Sequence, residues 1–133
     1  VDGVTEALKH TTRRRRPDDS AQDSFPSGHT SFAFCMATFV QRSIARDHDG
    51  AAEVLSYLAY VPALYVGIDR SEASRHWPTD IAFGAFLGIT LTNVVFDASY
   101  GEPGRPGLFG VNGLSVEPEI GSGSSGLSLV LRF

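Results

Sequence analysis

Apolar residues recur at helical spacing along much of the chain. After His29 they fall three or four positions apart, at Phe32, Cys35, Met36, Phe39, Val40 and Ile44. This spacing predicts an amphipathic helix over about residues 28–46. The same reasoning predicts a helix over about 51–67, kinked at Pro62, and another apolar helix over about 78–96.

The segments before and between these helices are more polar. Residues 1–12 carry a weaker helical signal, and the basic run Arg13 to Arg16 is followed by Pro17. Proline disfavours helical geometry at the residue before it, so we expect the basic run at a helix end or in a loop. The residues from Asp69 to Trp77 are predicted to form a polar connector.

The composition changes near the C-terminus. Eight glycines lie between Gly101 and Gly126, and glycine at this density ends helical structure. Asn112-Gly113 predicts a two-residue hairpin turn, and alternating leucines in the last seven residues predict a strand. The sequence thus predicts an all-α helical bundle over 1–98 and a short Gly/Pro-rich β tail over 99–133, packed on the bundle or appended to it.

Sequence alone leaves open whether the helices cross a membrane. The longest stretch without Asp, Glu, Lys or Arg, from Ile81 to Phe96, has 16 residues. At about 1.5 Å per residue it would cover roughly 24 Å, which is short of a hydrocarbon core of about 30 Å. Length therefore favours a buried helix of a soluble bundle. The same segment is apolar on nearly every face, as lipid-exposed and fully buried helices both are.

Length, charge and cysteine content narrow the function classes. With 133 residues the chain has room for one ordinary domain. A formal net charge of -4 argues against a general nucleic-acid binder. The single cysteine, Cys35, excludes an internal disulfide framework and a multi-cysteine zinc site. Because the chain begins with Val1 and no apolar leader precedes its first polar stretch, we expect a processed or excised piece.

Three segments of the sequence, 9–17, 26–29 and 70–80, carry residues that could together hold a phosphate. Lys9, Arg16 and Arg70 would supply cations, two of them with planar guanidinium groups. A helix N-terminus at Ser27-Gly28 would supply backbone N–H donors and a favourable dipole. Each group also has an ordinary explanation: a solvated basic stretch, a capped helix start, and a surface arginine near a histidine held by a capping acid. Their combination favours an anion cradle.

Two histidines and an aspartate accompany this cradle. One of His29 and His76 could attack phosphorus while the other protonates the leaving oxygen. Asp80 follows His76 by one helical turn and could hold its imidazole in the tautomer that keeps the other nitrogen free. Histidines and carboxylates do not recur at metal-ligand spacing in the sequence, and the cations supply positive charge, so catalysis without a metal is predicted.

The order and spacing of these residues resemble the phosphatidic-acid-phosphatase type 2 superfamily, which includes bacterial nonspecific acid phosphatases, lipid phosphate phosphatases and vanadium haloperoxidases. Its signature K-x6-R-P matches Lys9 to Pro17, P-S-G-H matches Pro26 to His29, and S-R-x5-H-x3-D matches from Arg70 to Asp80. Asp69 stands in place of the serine of the third signature, where an acid would weaken anion binding or orient the neighbouring arginine. The family usually has further helices upstream of the first signature, which agrees with a shortened chain.

The resemblance implies a role for each matched residue. His76 would be the nucleophile that forms a phosphohistidine, Asp80 its orienting partner, and His29 the general acid on the leaving oxygen and then the base for water. The implied phosphate-binding residues are Lys9, Arg16, Ser27, Gly28 and Arg70. Charges without a matching family position are expected to be solvated and partly balanced by nearby acids. These are Arg13, Arg14, Arg15 and Arg75.

The resulting hypothesis is a metal-independent phosphatase that hydrolyses a phosphomonoester or diphosphate, carried by a lipid or a small soluble molecule. We expect no cofactor, no nucleic-acid partner, inhibition by vanadate, and an extracytoplasmic location, either membrane-associated or periplasmic. Two alternatives stay open. One is a vanadium-dependent haloperoxidase, because vanadate occupies the phosphate cradle in those relatives, and the other is a non-catalytic anion-binding or structural fragment.

Overall fold

The computed structural model describes residues 1–100, 112–121 and 124–132. Within these ranges the chain forms α-helices and a pair of strands. The helices are α1 (Asp2–Thr12), α2 (Gly28–Asp47), α3 (Ala51–Ser56), α4 (Tyr60–Glu72) and α5 (Pro78–Tyr100), and a 3₁₀ turn, Tyr57–Ala59, joins α3 to α4. The all-α prediction is confirmed for residues 1–100. Contacts divide the chain into two units, Val1–Thr92 and Asn93–Phe133, and the candidate site lies in the first.

The strands β1 (Asn112–Gly121) and β2 (Ser124–Arg132) pair antiparallel. Pairing begins with Gly121 opposite Ser124, so Asn112-Gly113 opens β1 instead of forming the predicted hairpin turn. The turn prediction was wrong because the Gly- and Ser-rich residues from 121 to 126 have turn chemistry of their own. The Asn-Gly pair instead coincides with a shift of register between Asn112 and Leu114. That the tail packs on the helices stays a prediction.

Local chemistry explains where α1 ends and α2 begins. Arg13 has a left-handed backbone, with a φ of 44°, and its N–H donates to the carbonyl of Lys9. The basic run therefore follows a helix end, as predicted. Ser27 is the N-cap of α2, and its side chain accepts a hydrogen bond from the N–H of Thr30. The helix consequently begins at Gly28, where the sequence predicted it.

The segment from Ala51 to Glu72 differs from the predicted single helix kinked at Pro62. The interruption is the 3₁₀ turn Tyr57–Ala59, and Pro62 lies in the first turn of α4. Proline cannot donate to the carbonyl four residues before it and clashes with it, and here that carbonyl belongs to Leu58 of the 3₁₀ turn. The interruption expected from Pro62 is therefore present, about one turn before the proline itself. Arg70, predicted to lie in a polar connector, belongs to the last turn of α4, where the helix dipole favours a cation.

A small core joins α2 to α4. Phe34 and Ala37 of α2 are buried against Ala63 of α4. The ring of Tyr60 lies 6.0 Å from that of Phe34, and its hydroxyl pairs with the hydroxyl of Thr38 at 2.9 Å. The partly buried phenol of Tyr60 therefore has a polar partner while its ring contributes apolar contact.

Two glycines of α5 allow a close approach to α2. A Cβ atom added at Gly84 would lie 2.7 Å from the carbonyl oxygen of Ser27. One added at Gly88 would overlap the carbonyl oxygen of Ser31. Glycines four residues apart let helix backbones approach more closely than any larger side chain would allow. This contact places the start of α5, with Asp80, beside the start of α2.

The interior holds small and hydroxyl side chains, while large apolar side chains face outward. Fully buried residues include Thr5, Ser24, Ser27, Thr30, Ser31 and Thr38. Exposed apolar residues include Phe32, Met36, Phe39, Leu55, Leu58, Val61, Leu64, Ile68 and Phe86. By length and composition, Ala51–Glu72 and Pro78–Tyr100 could each cross a membrane, and only 17% and 28% of their most apolar windows are buried.

Candidate active site

His76 lies in the turn before α5, and only 5% of it is exposed. Its backbone N–H donates to the carbonyl of Arg70 at 3.3 Å, and its Nδ1 lies 2.7 Å from the carbonyl oxygen of Ser24. A carbonyl oxygen only accepts hydrogen bonds, so Nδ1 carries the proton and, in the neutral ring, Nε2 keeps its lone pair. His76 is therefore held in a tautomer suited to a nucleophile.

The surroundings of His76 lower the pKa of its imidazole from the ordinary value of 6.5. Burial is the largest cause, because it disfavours the charged ring. The hydrogen bond to Ser24 and the charge of Asp80 act in the opposite direction, while the charges of Arg16 and Lys9 lower the pKa further. The charges of Lys9, Arg16 and Asp80 thus all act on His76, and their roles in catalysis and phosphate binding stay predictions.

The Asp80 carboxylate is completely buried and accepts hydrogen bonds from three residues. Its Oδ2 accepts from the hydroxyl of Ser24 and, at 2.9 Å, from the backbone N–H of Trp77. Its Oδ1 accepts from Arg14 at 2.7 Å. The sequence predicted that Asp80 would hold the His76 ring directly. The hydrogen bond of that ring goes instead to Ser24, so Asp80 reaches His76 through one intervening residue.

Arg14 was wrongly predicted to be a solvated charge. Its guanidinium contacts Asp80, donates to the hydroxyl of Thr79 at 2.8 Å and lies 5.8 Å from the centre of the Trp77 ring. The correction has a physical reason, since a fully buried carboxylate needs a cation and hydrogen-bond donors. Family signatures assign nothing to this position. The sequence indicated only that one of four consecutive arginines could pair with the aspartate at the start of α5, and it did not indicate which one.

Two neighbouring arginines agree with the prediction of charges balanced by nearby acids. Arg15 lies 3.5 Å from Asp19, and Arg75 lies 3.7 Å from Asp18. Both arginine side chains are at least half exposed, so water screens these ion pairs and each contributes little to stability.

Each predicted phosphate-binding cation is paired with a carboxylate of its own. Lys9 Nζ lies 2.7 Å from Glu6 Oε1. Arg16 makes a two-pronged contact with Asp23, at 2.8 and 3.0 Å. Arg70 donates through Nε at 2.9 Å, and through a terminal nitrogen, to Asp69. These contacts use only part of the donors of each cation, since a lysine has three N–H groups and an arginine five, so a phosphate would bind to cations that already carry a carboxylate partner. Asp69, which departs from the family signature, competes for Arg70 in this arrangement.

A cavity of about 410 Å³ lies between the start of α2 and α1. It is lined by Asp2, Thr5, Glu6, Lys9, Gly28, His29, Phe32, Ala33 and Val66. A Cβ atom at Gly28 would lie 3.6 Å from Lys9 Nζ, so the absent side chain leaves space beside the ammonium group. The cavity brings together Lys9, Gly28 and His29, three of the predicted site residues. That they bind phosphate stays a prediction.

The predicted residues thus form two groups. Lys9, Gly28 and His29 line the cavity, with Ser27 buried behind them as the N-cap. His76 and Asp80 lie in the buried network around Ser24. Electrostatic influence of Lys9 and Arg16 on His76 links the two groups. Among the described residues, three His, Cys, Asp or Glu side chains do not come close enough together anywhere to hold a metal ion, and metal independence stays a prediction.

The sequence that carries these motifs matches a family model. The chain belongs to the PAP2 superfamily, whose model matches residues 1–102. The match covers all three signature segments and extends through the whole of α5.

Two curated proteins are similar to part of the chain. One is a lipid A 1-phosphatase from Porphyromonas gingivalis, 37% identical over 87 residues, which cover 65% of this chain and 19% of that protein. The other is a probable diacylglycerol pyrophosphate phosphatase 1 from Schizosaccharomyces pombe, 35% identical over 80 residues, with 55% of this chain and 29% of that protein covered. The chain therefore spans less than a third of either relative. None of the solved structures gives a significant match.

Proposed function

We propose that this chain carries the catalytic site of a lipid phosphate phosphatase that works through a phosphohistidine and without a metal. The observation that carries the proposal is the state of His76. Its Nδ1 is held by the Ser24 carbonyl at 2.7 Å, its pKa is lowered, and its Nε2 keeps the lone pair. Two similar proteins are named as phosphatases of lipids.

Bond formation would begin at Nε2 of His76. Its lone pair attacks phosphorus as the bond to the leaving oxygen breaks, and His29 gives that oxygen a proton. Water then attacks the phosphohistidine while His29 takes a proton from it. The P–N bond breaks, inorganic phosphate leaves, and the ring returns to its neutral tautomer. Nδ1 keeps its proton throughout and donates it in a hydrogen bond to the Ser24 carbonyl. That carbonyl therefore partly stabilises the positive charge on the phosphorylated ring.

The negative charge that builds up on phosphorus would be met by fixed positive groups. Lys9, Arg16 and Arg70 supply cations, and the N-terminus of α2 at Gly28 supplies backbone N–H groups and the positive end of the helix dipole. Lys9 already lies next to Gly28 across the cavity. Preorganised charges of this kind do the electrostatic work that a metal ion does elsewhere.

A lipid substrate agrees with the surface around the cavity. Phe32, 54% exposed, lines the cavity wall, and Met36 and Phe39 continue its exposed apolar stripe along α2. Helices packed through small residues, with large apolar side chains outward, are typical of proteins whose solvent is lipid. Both long apolar helices fit this arrangement. The phosphate would bind beside Lys9 while the acyl chains stay against the apolar stripe. An extracytoplasmic placement of this site is part of the same proposal.

Phosphate release from lipid substrates in mixed micelles tests the proposal. The substrates are phosphatidic acid, diacylglycerol pyrophosphate and lipid A, with p-nitrophenyl phosphate as a soluble comparison. We expect release by the wild-type chain and by His10→Ala, which replaces an exposed histidine, and none by His76→Ala. Release should survive exhaustive dialysis against EDTA and be inhibited by vanadate in competition with substrate.

Three results would contradict parts of this proposal. Folded wild-type chain that binds inorganic phosphate but releases none from any substrate would favour a non-catalytic anion-binding protein. Oxidation of bromide after addition of vanadate and peroxide would favour a haloperoxidase. Loss of activity on chelation, with recovery on added Mg²⁺ or Zn²⁺, would rule out the metal-independent mechanism.

A further inference from the structure

Ser24 contacts both partners of the predicted catalytic pair. It is completely buried, its carbonyl oxygen accepts from His76 Nδ1 at 2.7 Å, and its hydroxyl donates to Asp80 Oδ2. Its own N–H donates to the carbonyl of Arg14 at 2.9 Å. All three polar groups of this residue therefore have a partner, and together they connect two loops that are distant in sequence.

Arg14 closes the same network from the other side. Its terminal nitrogen donates to Asp80 Oδ1 at 2.7 Å and to the Thr79 hydroxyl at 2.8 Å. Its guanidinium also lies over the Trp77 ring. The segment that contains Arg14 and Ser24 is thus fastened to the turn from His76 to Asp80 by its backbone and by its side chains.

We propose that Ser24 and Arg14 are positioning residues, which transmit the orientation of the buried Asp80 carboxylate to the His76 ring. The inference rests on the proposed function, because it concerns the nucleophile of that reaction. Asp80 fixes the Ser24 hydroxyl, and the same residue presents its carbonyl to Nδ1 of His76. Arg14 neutralises Asp80, and a buried carboxylate without that cation would be strongly disfavoured.

The physical consequence concerns which ring nitrogen is free. With the Ser24 carbonyl held in place, the neutral ring keeps its proton on Nδ1 and presents Nε2 to phosphorus. When the hydroxyl of Ser24 is removed, its peptide loses the anchor on Asp80. The carbonyl can then rotate away from Nδ1, and the ring populates the other tautomer. Small misplacements of this kind can lower a rate by about a hundredfold.

Kinetics and NMR on the full chain in detergent micelles test the inference together. We expect Ser24→Ala and Arg14→Ala to lower kcat by about tenfold or more, with KM changed by less than about twofold, since the phosphate-binding cations are untouched. Arg14→Lys should recover part of kcat, because the ammonium group of lysine keeps the positive charge that neutralises Asp80 but lacks the planar guanidinium geometry. Arg15→Ala is the matched control. It removes the same charge from an exposed neighbour and should leave kcat unchanged.

The tautomer of His76 gives a readout that does not depend on activity. Long-range proton–nitrogen correlation spectra distinguish a ring protonated on Nδ1 from one protonated on Nε2. Wild-type chain and Arg15→Ala should show His76 protonated on Nδ1, and Ser24→Ala should show a mixture. If the wild-type chain shows this tautomer but has no phosphatase activity, the positioning role survives while the proposed function fails.

Several results would overturn the inference. One is a wild-type His76 protonated on Nε2, and another is a folded Ser24→Ala chain with unchanged kcat and tautomer. A loss in Arg14→Ala no larger than in Arg15→Ala would remove Arg14 from the network. If Ser24→Ala does not fold, a value of kcat in Arg14→Lys equal to that of Arg14→Ala would leave Ser24 and Arg14 with a structural role only.

Discussion

His76 combines two requirements that work against each other in solution. A nucleophilic imidazole must be neutral, yet the phosphorylated ring it becomes carries positive charge. Burial and the nearby cations Lys9 and Arg16 lower the pKa of His76, which keeps the free ring neutral. The carbonyl of Ser24 at 2.7 Å and the charge of Asp80 oppose this shift, and they also stabilise the charged intermediate. The site therefore keeps the free ring neutral and still partly stabilises the charged, phosphorylated ring.

The first prediction concerns pH. Since the pKa of His76 is lowered from 6.5, its ring stays neutral as the pH falls below that value. Protonation, and with it loss of the nucleophile, should begin only at lower pH. We expect the His76 ring signals to titrate with a midpoint below pH 6.5, and kcat/KM to fall with the same midpoint as the ring becomes protonated. A ring that titrates above 6.5 would contradict the assigned effect of burial.

Asp69 stands where the family signature has a serine, and its contact with Arg70 shows one consequence of this difference. Serine is neutral at this position in the signature, whereas Asp69 pairs with the guanidinium of Arg70 through Nε at 2.9 Å. Asp69 holds two nitrogens of Arg70, and its charge repels an anion that approaches them. This contact fits both effects considered from sequence, orientation of Arg70 and competition with the anion, and the second of them predicts a change in phosphate affinity.

The second prediction follows from that competition. Asp69→Ser should lower KM and the inhibition constant of inorganic phosphate by about three- to tenfold, as expected for about 1 kcal/mol of screened charge repulsion, with a smaller change in kcat. The measurement is competitive inhibition by phosphate at fixed pH and salt. Asp49→Ser, which removes an exposed acid from the loop after α2, is the control. Equal phosphate affinity in wild type and Asp69→Ser would contradict competition.

At the scale of helices, the contact of α5 with α2 sets the position of the catalytic segments. Gly84 meets the carbonyl of Ser27, which caps α2, and Gly88 meets the next turn of the same helix. Asp80 lies one turn before Gly84 on α5. Close packing of these two helix starts therefore brings the buried Asp80 close to the N-terminus of α2, which is proposed to bind the phosphate.

The third prediction tests this contact. Gly88→Ala places a methyl group on the Ser31 carbonyl oxygen and 3.0 Å from the Cys35 nitrogen, so the helices must separate. We expect a loss of about 1–3 kcal/mol in unfolding free energy, the usual cost of overpacking. Gly3→Ala is the control, because nothing lies within 4 Å of its added Cβ. Denaturation in detergent measures both variants. Equal stabilities would mean that α5 does not need the glycine.

Helical spacing and signature motifs allowed much of this arrangement to be predicted from sequence. The starts of α2 and α5 follow from local chemistry, since Ser27 caps one helix and Pro78 opens the other. Pro62 signalled the break at Tyr57–Ala59, because it cannot donate a hydrogen bond to the carbonyl of Leu58 four residues earlier, but its form as a 3₁₀ turn could not be predicted. Arg14 could not be chosen among four adjacent arginines, since its partner Asp80 lies 66 positions away. Pairings at that distance depend on how the helices pack.

At the scale of the whole chain, the distribution of side chains is the reverse of that in most soluble domains. Among residues 1–100 most buried side chains are small or carry a hydroxyl group, with Phe34, Leu87 and Phe96 as large apolar exceptions, while many large apolar side chains face outward along α2, α4 and α5. Water would make such a surface unfavourable, whereas lipid would not. Sequence length alone favoured a buried helix, because the uncharged stretch of α5 seemed short. The helix has 23 residues, from Pro78 to Tyr100, which at about 1.5 Å per residue is long enough for a hydrocarbon core, with Asp80 and Asp97 at the two ends of its uncharged stretch.

The fourth prediction concerns lipid association. Chain mixed with vesicles of phosphatidylcholine and phosphatidic acid should float with the vesicles in a density gradient and remain bound in 1 M salt and at alkaline pH, because apolar contact is not screened. Leu64→Lys, at an exposed position of α4, should reduce flotation. Glu72→Lys at the polar end of the same helix is the control for added charge. Recovery of the wild-type chain in the soluble fraction alone would contradict membrane association.

The central claim, that His76 becomes covalently phosphorylated during turnover, is tested most directly by trapping the intermediate. Chain would be mixed with a radiolabelled lipid phosphate, quenched in alkali within milliseconds to seconds, digested and mapped by mass spectrometry. The account predicts a phosphate adduct on His76 that is stable in base, labile in acid and missing in His76→Ala. In His29→Ala the adduct should reach a higher level when it is formed from p-nitrophenyl phosphate, whose leaving group hardly needs a proton, because only its hydrolysis is then slowed. An adduct on another residue, or steady turnover by His76→Ala, would contradict it.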